Sequence, residues 1–336
     1  MKLGCALAWI FLAAGCGAGA HERDVFAPAG PAARILAALG LPVVVGFVVV
    51  SAAMWALIAY VALRRTGSFA EHAPVDAEGG TGWLLIGGFI IPGIAFVGVF
   101  IATIAVLRVF PIEHGITGRA EIRVTARQWW WQIDYVDGPL QDQFVTANEI
   151  HIPVGRPIEL ELESADVIHS FWAPRLHGKV DLVPGIHNHI RIEADAPGVY
   201  PGACAEFCGL EHAKMRFVVV AQSKDEYERW LASQRRSSVP PADAQAQRGQ
   251  ALFMGGPCLT CHRIRGTDAA ATVGPDLTHF AGRSTLASAW LPNQLGPLHA
   301  WIVNAPSLKP GTQMPALTFF TGTELQDLVA YLETLK

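Results

Sequence analysis

Two long runs without a charged side chain, residues 35–63 and 82–107, constrain this 336-residue chain more than anything else in it. At 1.5 Å per residue the first would reach roughly 43 Å as a helix, beyond the ~30 Å of a hydrocarbon core. Both exceed the length of about 18 apolar residues at which a span becomes the better reading than a buried core helix. Pro42 and Pro92 fall inside them, which membrane helices tolerate and most soluble helices do not. Arg64-Arg65 close the first run, so the positive-inside rule puts that loop in the cytoplasm and everything after about Pro111 outside. A chain that is 51% apolar and only 16% charged agrees with a membrane-bound protein.

Residues 1–20 read as an export leader, with Lys2 as its basic start and an apolar run over 6–14. Leu12-Ala13-Ala14-Gly15-Cys16 fits a bacterial lipoprotein cleavage site, which would leave Cys16 as a lipidated N-terminus. It fits an ordinary signal sequence with an incidental Cys16 equally well. The negative excess sits in 113–239, with 13 basic and 18 acidic side chains. That balance excludes nucleic acid as a partner and suits the steering of a basic protein.

Strict alternation in Ile158-Glu159-Leu160-Glu161-Leu162-Glu163 and Ile190-Arg191-Ile192-Glu193, with Pro and Gly between such runs, predicts an antiparallel sandwich or barrel over 119–222. Helical periodicity returns after 245. Leu325, Leu328, Val329 and Leu332 mark one apolar face of a terminal helix.

The six cysteines form no disulfide framework: two lie in the leader and four in two close pairs. In Cys204-Ala205-Glu206-Phe207-Cys208-Gly209-Leu210-Glu211-His212-Ala213-Lys214-Met215, two thiols, an imidazole and a thioether can turn inward from one loop. These soft to borderline donors suit copper. His169 in Asp166-Val167-Ile168-His169 is the best second imidazole. Two thiolates can bridge two coppers and let them share one electron. A Cys204–Cys208 disulfide and a structural zinc site are the competing readings, but zinc has no use for Met215.

This motif resembles subunit II of the haem–copper cytochrome c oxidases in every ligand position. The resemblance covers about residues 30–225 and implies a cupredoxin barrel behind two transmembrane helices. It implies that Cys204 and Cys208 bridge a dinuclear copper (CuA) centre, that His169 and His212 each bind one copper, and that Met215 is a weak ligand. It assigns Glu206 a backbone-carbonyl contact to copper and a carboxylate at a Mg or Mn ion shared with subunit I. Asp181 matches a segment near that contact. Gln128-Trp129-Trp130-Trp131 is similar to the family's aromatic run, in which the residue at the place of Trp129 is where electrons arrive from cytochrome c.

Cys258-Leu259-Thr260-Cys261-His262 is the attachment signature of a c-type haem: two thiols add to the vinyl groups and the following His ligates iron. Met314, in Pro310-Gly311-Thr312-Gln313-Met314-Pro315, is the one methionine after it and the best second axial ligand, with His279 and His299 as rivals. Residues 245–336 resemble the class I cytochromes c.

The expected chain is therefore multidomain. It has a leader (1–20), a two-helix transmembrane hairpin (31–112), an all-β cupredoxin-like Greek-key barrel with dinuclear copper (113–224), a linker (225–244) with a hinge at Pro240-Pro241, and an all-α cytochrome c domain (245–336). The resemblance implies subunit II of a caa-type oxidase in a bacterial inner membrane, with its redox domains on the periplasmic side. Its cofactors would be two copper ions, one covalent haem c and a Mg or Mn ion. Its partners would be subunit I, subunit III, membrane lipid and a cytochrome c-type donor. The same module could serve a nitric or nitrous oxide reductase, and a membrane-anchored copper-handling protein is a rival from another class.

Overall fold

The computed structural model describes residues 24–64, 80–110 and 120–336. The leader, Cys16 and Arg65 lie outside them.

Both uncharged runs are helical. Helix α1 covers Pro31–Arg64. The second run is α2 (Thr81–Leu85), a π-helical turn (Ile86–Ile90) and α3 (Ile91–Leu107). Pro92 accounts for the widened turn: it has no N–H to donate, and its ring would crowd the carbonyl four residues back. The most apolar window of each helical run has no buried residue, and Phe47, Trp55, Trp83 and Phe89 stand bare. Core helices would cover such side chains; these faces suit lipid.

The next region is a sandwich of two five-stranded sheets. Its strands are β1 (Ile122–Arg127), β2 (Trp130–Tyr135), β3 (Phe144–Ala147), β4 (Glu149–Pro153) and β5 (Ile158–Ser164). They continue with β6 (His169–Trp172), β7 (Val180–Leu182), β8 (Asn188–Ile192), β9 (Gly198–Cys204) and β10 (Arg216–Gln222). One sheet runs β3-β2-β1-β5-β8 and the other β4-β10-β9-β6-β7. The pairing is not purely antiparallel as expected. β1 lies parallel to β5 and β10 parallel to β4, because the chain crosses to the other sheet between these partners.

Alternation decides which face is inside. Ile158, Leu160 and Leu162 are fully buried, while Glu159 pairs with Arg191 and Glu161 with Arg123 on the outer face. Trp131, Phe171 and Phe217 fill the core, with ring centroids 4.4–6.0 Å apart. Just before α1, Ala29 N–H donates to Arg175 O and Asp195 N–H donates to Ala29 O, which ties this segment to the sandwich.

The first half of the predicted linker is helix α4 (Lys224–Gln234), started by a reciprocal Ser223–Glu226 capping box. Its Trp230 stacks on His151 and packs against Tyr135 and Phe144 of the sandwich. Residues after it are held as well: Ser238 N–H and Oγ both donate to Arg265 O.

The C-terminal helices are α5 (Ala244–Gly255), α6 (Leu295–Leu308) and α7 (Gly322–Thr334). A short hairpin, β11 (Thr285–Leu286) and β12 (Leu291–Pro292), precedes α6. α5 crosses α7 at Gly249, where a Cβ would lie 1.8 Å from Asp327 O, and Arg248 forks onto the Asp327 carboxylate beside the crossing. Leu328, Val329 and Leu332, on the face foreseen from periodicity, are buried against Phe253, Leu298 and Ile302.

Candidate metal centre

His169 opens β6 and Cys204 closes the neighbouring β9, where Phe171 pairs with Cys204 across the ladder. Cys208 and His212 follow on the loop that leads into β10, and Met215 stands immediately before that strand. Two sheet strands and one short loop thus aim five side chains at one point. The Cys204 and Cys208 sulfurs lie 3.7 Å apart, too far for a disulfide bond of about 2.05 Å. His169 Nδ1 is 3.8 Å from Cys204 Sγ, His212 Nδ1 is 3.6 Å from Cys208 Sγ, and Met215 Sδ is 3.8 Å from Cys208 Sγ. Glu206 O is 3.2 Å from Cys204 Sγ. His169, Cys204 and Cys208 are buried, with ligand atoms within 4.8 Å of one another.

Asp166 orients His169. Its Oδ1 is 2.8 Å from His169 Nε2, so Nδ1 is the nitrogen left facing the sulfurs. The same carboxylate accepts backbone N–H bonds from Gln128 and Val167. Burial alone would raise the Asp166 pKa, but these bonds hold it below the ordinary range. Burial likewise opposes a charged His169, yet the bonds to Asp166 and Cys204 keep its pKa raised. The hydrogen bond between the two thiols drives their titrations apart: against the effect of burial it favours loss of one proton from the pair and opposes loss of the second. The pair therefore gives up its first proton readily and leaves a thiolate hydrogen-bonded to a thiol, and a thiolate is what a soft metal binds. Asp166 stands in the stretch that nominated His169, three residues before it; its role needed the folded loop to become visible.

Trp129 lies beside this cluster. Its Nε1 donates to Cys208 O at 2.9 Å, and Gln128 Nε2 donates to the same oxygen at 2.7 Å. Glu206 and Asp181, the two carboxylates expected near a further ion, both approach Lys179 Nζ, at 3.4 and 3.7 Å.

The C-terminal domain presents a cavity of about 220 Å³. Cys258, Cys261, His262 and Met314 all line it; His279 and His299 do not. His262 Nδ1 donates to Pro275 O at 2.8 Å, which leaves Nε2 as its free lone pair. Gly274 permits this placement, since a Cβ there would come within 2.8 Å of the imidazole. Burial lowers the His262 pKa, and burial also pushes the Cys258 thiol up to about 11. Arg283 adds a cation to the lining, and its buried Nε has no hydrogen-bond partner among the described residues. A flat apolar macrocycle with two carboxylates and two thioether links matches this set of groups. Arg283 gave no signal in the sequence, because nothing near it in the chain marks a ligand.

Residues 138–222 match the family described as cytochrome c oxidase subunit II, periplasmic domain, and residues 246–336 match cytochrome c. The chain carries a domain of the cytochrome c oxidase subunit II family and, after it, a cytochrome c domain. Cytochrome c oxidase subunit 2 of Alkalihalophilus pseudofirmus is 42% identical over 215 residues, which cover 64% of this chain and 61% of that protein. The Bacillus subtilis protein of the same name is 30% identical over 226 residues, covering 64% and 62%. This chain thus spans about three fifths of the length of these relatives. The solved periplasmic domain of subunit II of cytochrome oxidase from Bradyrhizobium japonicum is 28% identical, covers 36% of this chain and 97% of its own, and has a TM-score of 0.32. The subunit II domain supplies the thiolate cluster, the cytochrome c domain supplies the cavity, and the two apolar helices make the chain membrane-anchored.

Proposed function

We propose that the chain is the electron-receiving subunit of a haem–copper cytochrome c oxidase. The observation that carries this reading is the convergence of two thiols, two imidazoles and a thioether around sulfurs 3.7 Å apart. Cys204 and Cys208 would bridge a copper pair, His169 and His212 would each take one copper, and Met215 and the Glu206 carbonyl would complete the set. Cys258 and Cys261 would carry the haem thioethers, His262 and Met314 would be its axial ligands, and Arg283 would face its carboxylates. When bound, haem c and the copper pair supply one-electron transfer, passing electrons from a cytochrome c-type donor to a haem in subunit I, where oxygen becomes water and protons are pumped.

The residues of this chain prepare that chemistry. Asp166 fixes the His169 ring, Pro275 O fixes the His262 ring, and burial excludes water from the sulfurs. Ligands held this way change little in geometry between oxidation states. Trp129, bonded to Cys208 O and lining the haem cavity, stands where electrons would arrive at the copper ligands. The Glu206 carboxylate, with Asp181 near it, would meet a Mg or Mn ion at the contact with subunit I. Subunit III and membrane lipid complete the expected surroundings in a bacterial inner membrane.

Purification of the tagged chain from solubilised membranes tests the reading. A large haem-binding subunit should copurify, and the complex should consume oxygen with reduced cytochrome c and lose that activity in Cys208→Ser. Purification without such a subunit, or oxygen uptake indifferent to Cys208→Ser, would refute it.

A further inference from the structure

Lys309 begins the loop that carries Met314, and it is only 3% exposed. Its Nζ lies 2.6 Å from Trp129 O, 3.3 Å from Lys214 O and 3.5 Å from Ala287 O. One side chain of the cytochrome c domain thus holds the backbone beside Trp129, the loop of copper-site residues and its own β11–β12 turn. Lys214 answers from the other side, donating to Leu308 O at 2.9 Å.

A second fixing point lies at Glu149, which is 3% exposed. Its Oε1 accepts from Ser284 Oγ, Thr285 N and Thr285 Oγ1, all at 2.8–2.9 Å. Between the two points, Arg216 N–H donates to Ser288 O and Ser288 Oγ donates to Arg216 O. Ala287, Ser288 and Ala289 all have φ between 52° and 65°, a left-handed run that is unfavourable for non-glycine residues. Contacts with the subunit II domain hold that strained turn in place.

Between these contacts the Trp129 ring is gripped by two glycines. A Cβ on Gly209 would lie 3.2 Å from the ring, and one on Gly311 would lie 3.1 Å from it. Gly209 has φ +110° and belongs to the loop of Cys208; Gly311 has φ +84° and belongs to the loop of Met314. Only glycine combines that backbone with that approach.

We propose that Lys309 and Glu149 form a two-point latch that docks the cytochrome c domain on the subunit II domain in one fixed pose, closing the Trp129 face to any outside donor. Lys309 is then a positioning residue: it lines the cavity shared with His262 and Met314, but its hydrogen bonds go to the backbone of Trp129, Lys214 and Ala287, through which it acts. The latch deepens the electron-transfer reading and rests on it for its purpose. An outside donor would have to deliver electrons through the haem and not directly beside Cys208.

Hydrogen exchange on the full chain in detergent, with copper and haem incorporated, tests the latch. The reporters are the amides of Thr285 and Arg216, which the docked pose occupies. Lys309→Met removes one fixing point and touches neither amide. Both amides should exchange at least about tenfold faster, the scale set by loss of a buried hydrogen-bond donor, with covalent haem and copper both retained. Rates within about twofold of the parent would overturn the latch. If Lys309→Met fails to take up haem, the paired variant Ser284→Ala with Thr285→Val decides in the same way at Arg216. Exchange does not depend on electron flow. A latched chain that carries no electrons would therefore sink the proposed function and leave the latch standing.

Discussion

In the subunit II domain the ligand atoms of His169, Cys204 and Cys208 already stand within 4.8 Å of one another, carried by two neighbouring strands and the loop that follows them over a packed core. In the cytochrome c domain Cys258, Cys261, His262 and Met314 instead line a cavity, which Gln128, Trp129 and Trp130 of the sandwich line as well. The sheet makes a metal site by holding loops at fixed spacing. The small helical domain frames, together with Trp129 and Trp130, a cavity that suits a large apolar group. Cofactor binding should therefore contribute far more to folding in the second region than in the first.

The sharpest way to break that comparison is to remove the attachment thiols. Cys258→Ala with Cys261→Ala should abolish covalent haem and the cooperative melting of the cytochrome c domain, followed by calorimetry. Cys204→Ser should abolish copper binding, yet leave the melting of the sandwich nearly unchanged. Equal loss of cooperativity in both domains would show that the copper site is no more preformed than the haem site.

Much of this was legible in the chain, because it lay in local spacing. The uncharged runs, the Cys204–Met215 stretch, Cys258-Leu259-Thr260-Cys261-His262 and the apolar face of α7 each follow from residues a few positions apart. The parallel pairs β1–β5 and β10–β4 were not legible, since alternation fixes which side chains face inward and not which strand lies alongside. Lys309 was equally silent: a lysine before Pro-Gly looks like a solvated loop residue until the fold buries it under Trp129. Pro240-Pro241 suggested freedom between the domains, and no local signal announced the contacts from Glu149, Arg216 and Lys214 that hold them together.

Smaller effects sharpen the contrast. Phe217→Ala should cost the sandwich about 3–5 kcal/mol, measured by denaturant unfolding, because the ring is fully buried between Trp131 and Phe171. Gly249→Ala should cost the cytochrome c domain about 1–3 kcal/mol, because its Cβ would force α5 away from α7. Each change should leave the other domain's transition in place, and a shift of both would mean that the latch makes them one cooperative unit.

The smallest effect concerns acid. The hydrogen bond and charge of Arg248 hold the Asp327 pKa below its ordinary value of about 3.9. The pair therefore supports the cytochrome c domain above about pH 4, and that support fades as pH falls through the depressed folded value. Arg248→Leu should flatten the acid limb of this domain's melting temperature and leave that of the sandwich unaltered.

The measurement that tests the central claim most directly is electron paramagnetic resonance of the oxidised full chain with copper and haem incorporated. The account predicts the hyperfine pattern of one unpaired electron shared equally by two copper nuclei, beside a low-spin haem signal. The pattern of a single copper nucleus would contradict it, because Cys204 and Cys208 would then not bridge a pair.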